Sequence, residues 1–177
     1  MAELQVSRAS QRLAEALAEV SHPKDFRRLS AAAQGDGWYS FAQLIADAPA
    51  MEGLVSAATA RYRGRCEVAG AMISLRLAGP IIDLAVSLLV VKGWAVPLPA
   101  DGVMLASDDN GFINAVAPRD PVIVTARAED GADGVDALYA YLAGQLNAIL
   151  QPAFEALKAH TRYGLRGMWG QAADQIA

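Results

Sequence analysis

The sequence predicts an α+β fold, and three observations predict it. Residues 77–91 (LAGPIIDLAVSLLVV) form an apolar run that is hydrophobic on every side of a helix, which is typical of a helix inside a core or a membrane. After Gly93 the pattern changes to short β-branched segments on either side of Asn110-Gly111, a dipeptide typical of a type I′ hairpin turn. Leucines at helical spacing return from Leu138 onward. We therefore expect helices packed on a small antiparallel sheet of three to four strands.

The apolar run predicts a buried central helix over residues 68–92. Gly93 is well placed to end it, since glycine adopts the left-handed conformation that often follows a helix. A membrane-spanning helix needs about 18 or more apolar residues in a row, and this run is shorter and carries Asp83. We therefore expect this helix to lie in a protein core and predict no membrane span.

The length of 177 residues fits one domain over residues 1–177. We expect a helical N-terminal part over residues 1–92, a hairpin and sheet over 94–126, and C-terminal helices over 133–177. The first helix should run from residue 8 to residue 20 with Ser7 as its cap. Ser40 and Gln43 form a capping-box pattern that should open a further short helix.

Composition limits the classes of partner. Hydrophobic residues make up 54% of the chain and charged residues 19%, so the chain is predicted to fold rather than to stay disordered. The net charge of −4 does not favour nucleic acid or an anionic membrane surface as a partner. The first residues show no apolar stretch of a secretory signal, so a cytoplasmic location is expected. A protein partner or a homo-oligomer stays open.

Metal and nucleophile chemistry have few candidates. Cys66 is the single cysteine, which excludes an internal disulfide and a multi-cysteine metal site within this chain. His22 and His160 are far apart in sequence, and His160 is expected to compensate the negative end of a helix. We therefore predict no metal ligands. Cys66 follows two arginines, so a reactive thiol and a buried structural thiol are both possible.

Two groups of basic residues are the remaining candidates for a binding site. The first group is Arg61, Arg63 and Arg65, followed by Arg76, and the second is Arg162 and Arg166, beside Tyr163 and Trp169. Arginine next to aromatic rings suits planar anions such as carboxylates or catecholates, through paired hydrogen bonds and stacking. The alternative is that these residues are solvated helix ends.

The order of these segments resembles a known family. Residues 76–96 (RLAGPIIDLAVSLLVVKGWAV), the hairpin, residues 137–160 and residues 164–176 resemble the FhuF-like ferric-siderophore reductase family. The family's R-x-x-W-[GS]-[NQ] segment is matched by Arg166, Trp169, Gly170 and Gln171. The likeness covers most of the chain from about Arg61 and implies that the protein handles siderophore-bound iron.

The resemblance also implies a [2Fe–2S] cluster, which the family holds in a C-terminal segment with a C-C…C-x-x-C pattern. This chain has one cysteine, so it cannot supply the four ligands and is expected to carry no cluster of its own. Either the cluster segment lies outside this sequence, or this member binds a ferric siderophore without reducing it. Whether the chain is an enzyme therefore stays open.

Two further alternatives remain. The chain could be a non-enzymatic accessory module in siderophore uptake or synthesis. It could also be a degenerate relative of the palm domain of siderophore synthetases, although their H-G-Q-N element would fall near residues 99–104, where this sequence has PADGVM.

We predict that Arg76, Arg162, Arg166 and Trp169 line a shallow pocket for the ferric siderophore, against the sheet. Arg166 and Trp169 are three residues apart, so on a helix they are neighbours. The competing interpretation is that Trp169 anchors the core while the arginines cap helix ends.

Overall fold

The structure, a computed structural model, describes residues 4–8, 10–20, 28–107 and 113–176. The α+β fold class is confirmed. Six α-helices lie in the described residues: α1 (Ser10–Val20), α2 (Phe41–Ala46), α3 (Ala48–Arg61), α4 (Cys66–Lys92), α5 (Gly131–His160) and α6 (Leu165–Asp174). The described strands are β1 (Gln5–Arg8), β2 (Arg28–Leu29), β3 (Trp38–Ser40), β4 (Trp94–Ala95), β5 (Val103–Ser107), β6 (Ile113–Pro118) and β7 (Val122–Thr125).

The strands form two sheets rather than the single sheet expected. One sheet has the order β1-β7-β4 and is antiparallel throughout. The other has the order β2-β6-β5-β3, and its β2–β6 pair is parallel. The predicted β5–β6 hairpin is confirmed as an antiparallel pair, while its Asn110-Gly111 turn lies outside the described residues. Strand β7 does not belong to the sheet that contains the β5–β6 hairpin. It pairs instead with β1 and β4, which come from other parts of the chain, and a local sequence pattern does not predict such pairing.

Helix α4 is the core of the molecule, as the apolar run predicted. It contacts α1, α3, α5 and α6 as well as strands of both sheets. Most of residues 77–91 are buried, and Val90 and Val91 near the end are exposed. Gly93 ends the helix with a φ of 64°, as expected. Pro80 lies within the helix, where it removes one backbone N–H from the hydrogen-bond ladder.

The N-terminal prediction needs correction. Ser7 does not cap the first helix, since it lies in β1 and pairs with Ile123 of β7, and the helix begins at Ser10. The capping box is confirmed: the Ser40 hydroxyl accepts a hydrogen bond from the Gln43 backbone N–H, and the Gln43 side chain accepts one from the Ser40 N–H. Asp47 then caps α3, whose first turn contains Pro49.

Within the described ranges, α4 is long and apolar enough by length and composition to cross a membrane. In this structure 67% of its most apolar stretch is buried by the rest of the chain, which is also how the core helix of a globular domain is placed. The absence of a membrane span stays a prediction.

Candidate functional site

Four helix termini meet at one end of the molecule. The turn between α3 and α4 lies close to the end of α5. Gly64 from the turn and His160 from α5 line the same surface hollow of about 460 Å³. The segment between α5 and α6 packs on the first turns of α4, where a Cβ atom added at Gly70 would lie 2.7 Å from the Cβ of Tyr163. The fold therefore brings residues 61–65 and residues 158–166 together. We call these two segments the basic end.

The basic end carries a high local density of positive charge. It holds six of the chain's 15 lysines and arginines and none of its 19 acidic residues. All six are exposed: Arg61, Arg63, Arg65, Lys158, Arg162 and Arg166. The nearest acid along the chain is Glu67, which is also exposed. The whole chain has a net charge of −4. The positive charge at the basic end therefore results from the fold bringing these two segments together and not from an overall excess of basic residues.

The backbone at the basic end includes the N-terminal ends of two helices, α4 and α6. The tight turn before α4 is made by Arg63 and Gly64, with φ values of 55° and 81°. Neither the first residue before α4 (Arg65) nor that before α6 (Gly164) caps its helix with a side-chain hydrogen bond. Amide groups at a helix N-terminus lack partners within the helix and favour anions.

The C-terminal ends of α3 and α5 also lie at the basic end, and their dipoles point the opposite way. Arg61, Lys158 and His160 occupy the last turns of these helices, where a cation compensates the negative end. This placement agrees with the helix-end interpretation for Arg61 and His160. Arg162 follows Thr161, the C-cap residue of α5, whereas Arg166 lies in the first turn of α6.

Trp169 is tied to the protein interior. Its indole Nε1 donates a hydrogen bond to Gln151 Oε1 of α5 at 3.0 Å. Its ring meets that of Phe154 edge to face, with 5.1 Å between centroids and 84° between planes. The side chain is half-buried and packs against the core. These contacts favour the anchoring role that was the competing interpretation, and sequence alone did not identify Gln151 or Phe154 as partners.

The four predicted site residues are placed differently from one another. Arg162 and Arg166 are exposed at the basic end, whereas Arg76 is half-buried within α4. Helix α6 is joined to α4 by a hydrogen bond from the Ser74 hydroxyl to the Gln171 side chain. The prediction that all four residues line one pocket stays a prediction.

A second hollow was missed by the sequence analysis. A groove of about 580 Å³ runs between α2 and α3, next to β3. We call it the α2–α3 groove. It is lined by Tyr39, Gln43, Leu44, Asp47, Ala50, Gly53, Leu54, Ala57, Ala58 and Arg61. The signal that could have revealed it is the helical spacing of small residues along α3, which leaves space beside a helix.

Tyr39 is a half-buried polar residue that lines this groove. Its hydroxyl is 2.8 Å from the Ser107 hydroxyl. Burial raises the pKa of the Tyr39 hydroxyl above its ordinary value, and the hydrogen bond with Ser107 opposes that shift. The phenol therefore stays protonated at neutral pH and can act as a hydrogen-bond donor or acceptor.

Among the described residues, no group of three or more His, Cys, Asp or Glu side chains is placed to hold a metal ion. Cys66 begins α4 and is only partly buried, with its Sγ 3.8 Å from the Gly64 carbonyl oxygen. His22 lies outside the described residues. His160 is half-buried at the end of α5.

No protein-family model matches this chain, and no curated protein matches it.

Proposed function

We propose that this protein binds an anionic ferric siderophore at the basic end and handles its iron without an iron–sulfur cluster of its own. The observation that carries the proposal is the basic end itself, where an acidic protein gathers six exposed cations and two helix N-termini. The resemblance of residues 76–96, 137–160 and 164–176 to ferric-siderophore reductases supplies the ligand class.

Charge and geometry both favour this class of ligand. A ferric tris-catecholate is an anion with flat aromatic faces, and a guanidinium group can both pair with its oxygens and stack on its rings. Arg162 and Arg166 are the side chains we assign to this contact, since both are exposed and lie beside the start of α6. Tyr163, between them in sequence, adds an aromatic ring that is half-buried. Arg76 and Trp169 are proposed to line the site from α4 and α6.

Reduction of the bound iron needs an electron from outside this chain. Cys66 is the only thiol and cannot hold a cluster by itself. The proposal therefore assigns binding to this chain and leaves electron transfer to a separate donor in the cytoplasm.

The test is a titration with two ferric complexes of different charge, an anionic tris-catecholate and an uncharged tris-hydroxamate, followed by calorimetry and by tryptophan fluorescence. We expect the tris-catecholate to bind more tightly, and its affinity to fall as salt is added, because exposed charges are screened. Replacing both Arg162 and Arg166 by Ala should weaken tris-catecholate binding by roughly tenfold or more, since each removes a charge-assisted hydrogen bond.

The matched control is Arg119→Ala, which removes an exposed arginine from another part of the molecule. This variant should bind like the wild type. The Trp169→Phe variant shows whether the fluorescence change comes from the indole near the site. Absence of binding at high micromolar ligand, or equal binding by the double variant and the wild type, would contradict the proposal.

A further inference from the structure

The α2–α3 groove has the dimensions of a small-molecule site. Its volume of about 580 Å³ lies in the range of ligand pockets, which is roughly 300–1,000 Å³. The lining residues of α3 run from Ala50 to Arg61. At 1.5 Å per residue these positions span about 16 Å, so the groove suits an elongated molecule.

The groove results from side-chain size on a well-anchored helix. Ala50, Gly53 and Ala57 face it, and a Cβ atom added at Gly53 would meet nothing within 4 Å. Another face of α3 is held in the core by Met51 and Val55, which are 1% and 7% exposed. Because these buried residues hold α3 in place, the groove on its other side is a fixed feature of the folded protein.

The two ends of the groove differ in charge. Asp47 lies at the start of α3, where its carboxylate also accepts a hydrogen bond from the Ala50 N–H at 3.0 Å. Arg61 lies in the last turn, at the basic end. A ligand carboxylate would be repelled near Asp47 and attracted near Arg61, which with Arg63 also lines a neighbouring hollow. Between the ends, Leu44 and Leu54 make the wall apolar.

We propose that the α2–α3 groove binds an elongated, mainly apolar carboxylate. Its carboxylate lies at Arg61, and its apolar body lies along Ala57, Gly53 and Ala50. Tyr39, on the wall of the groove, is a neutral hydrogen-bond partner for a polar atom of the ligand. The groove shares Arg61 with the basic end, but the siderophore contact is assigned to Arg162 and Arg166, so each proposal can fail without the other.

The charge requirement is tested with three probes that share one chain length: decanoate, decan-1-ol and decylamine. Calorimetry on the full chain should show that decanoate binds most tightly, decan-1-ol about tenfold more weakly, and decylamine most weakly. The Arg61→Gln variant should bind decanoate and decan-1-ol with similar affinity. Equal binding of the acid and the amine by the wild type would overturn the assignment of a carboxylate.

The location is tested by filling the groove. Gly53→Leu places a side chain in the open space, and we expect at least a tenfold loss of decanoate affinity with an unchanged circular dichroism spectrum. Gly144→Leu is the matched control, since Gly144 is an exposed helical glycine of α5, outside the groove, with nothing within 4 Å of an added Cβ. It should bind like the wild type.

Ala57→Leu fills the same groove from the next turn of α3 and serves as the second variant should Gly53→Leu not fold. Loss of decanoate binding in either folded variant, with Gly144→Leu unaffected, supports the site. Wild-type affinity in a folded groove-filling variant, or no decanoate binding by the wild type at millimolar concentration, overturns it.

Discussion

Helices α3 and α4 pack against each other but are buried to very different extents. In α4, 14 of 27 residues are buried, whereas in α3 the number is 3 of 14. Both helices are rich in apolar residues and neither has a pronounced polar face. The difference lies in side-chain size: α4 presents Leu and Ile around its circumference, while the groove side of α3 presents Ala and Gly.

Apolar character alone therefore does not ensure that a helix is packed on all sides. Large side chains on α4 reach neighbours on all sides and exclude space, which is how cores attain their packing density. Small side chains on α3 leave a groove beside a helix that is fixed from its other face. Helix α4 is thus packed on most sides and stabilises the fold, whereas α3 borders a groove of a size suited to a ligand.

The largest expected change in the free energy of unfolding comes from burying a charge in α4. Leu84 is 0% exposed. Leu84→Asp should lower the free energy of unfolding by about 4 kcal/mol or more, since an unpaired carboxylate would be buried. Urea denaturation followed by circular dichroism measures this loss.

The control for Leu84→Asp lies on the same helix. Val90 is 71% exposed, so Val90→Asp should change the free energy of unfolding by less than about 0.5 kcal/mol. Similar losses in both variants would show that α4 is not packed as a central helix.

A smaller effect is expected where α4 has no space for one carbon atom. An added Cβ at Gly70 would lie 2.7 Å from Tyr163 Cβ and 3.0 Å from Thr161 Cβ. Gly70→Ala should therefore destabilise the protein by about 1–3 kcal/mol, although alanine is the better helix former. Thermal unfolding measures the change, and a stabilised Gly70→Ala would mean that the segment after α5 does not pack closely on α4.

Local patterns allowed the helices to be predicted. The apolar circumference of residues 77–91, the glycine at position 93 and the Ser40–Gln43 capping box all act through neighbours within a few residues, and all three are confirmed. Strands β1, β2 and β3 were missed. They are two to four residues long and depend on partners far along the chain, which a local pattern cannot reveal.

The candidate sites show the same difference between local patterns, which could be predicted, and long-range packing, which could not. Arginines 61, 63 and 65 and arginines 162 and 166 were recognised as two separate basic groups. Their convergence at one end of the molecule follows from the packing of the segment after α5 on α4, at Gly70, and that packing is a long-range property. For Trp169, ligand contact and core anchoring could not be distinguished from local sequence, since the decisive contacts with Gln151 and Phe154 come from another helix.

A smaller effect than at Gly70, and one of opposite sign, is expected on the open side of α3. Gly53→Ala should raise the free energy of unfolding by about 0.5–1 kcal/mol, because alanine restricts the unfolded chain and its methyl group meets nothing within 4 Å. Gly144→Ala, at an exposed helical position outside the groove, should give a similar gain. Urea denaturation of the two variants under identical conditions compares them directly. A gain at Gly144 with a loss at Gly53 would mean that another part of the protein fills the α2–α3 groove, so that α3 would be closed in the way that α4 is.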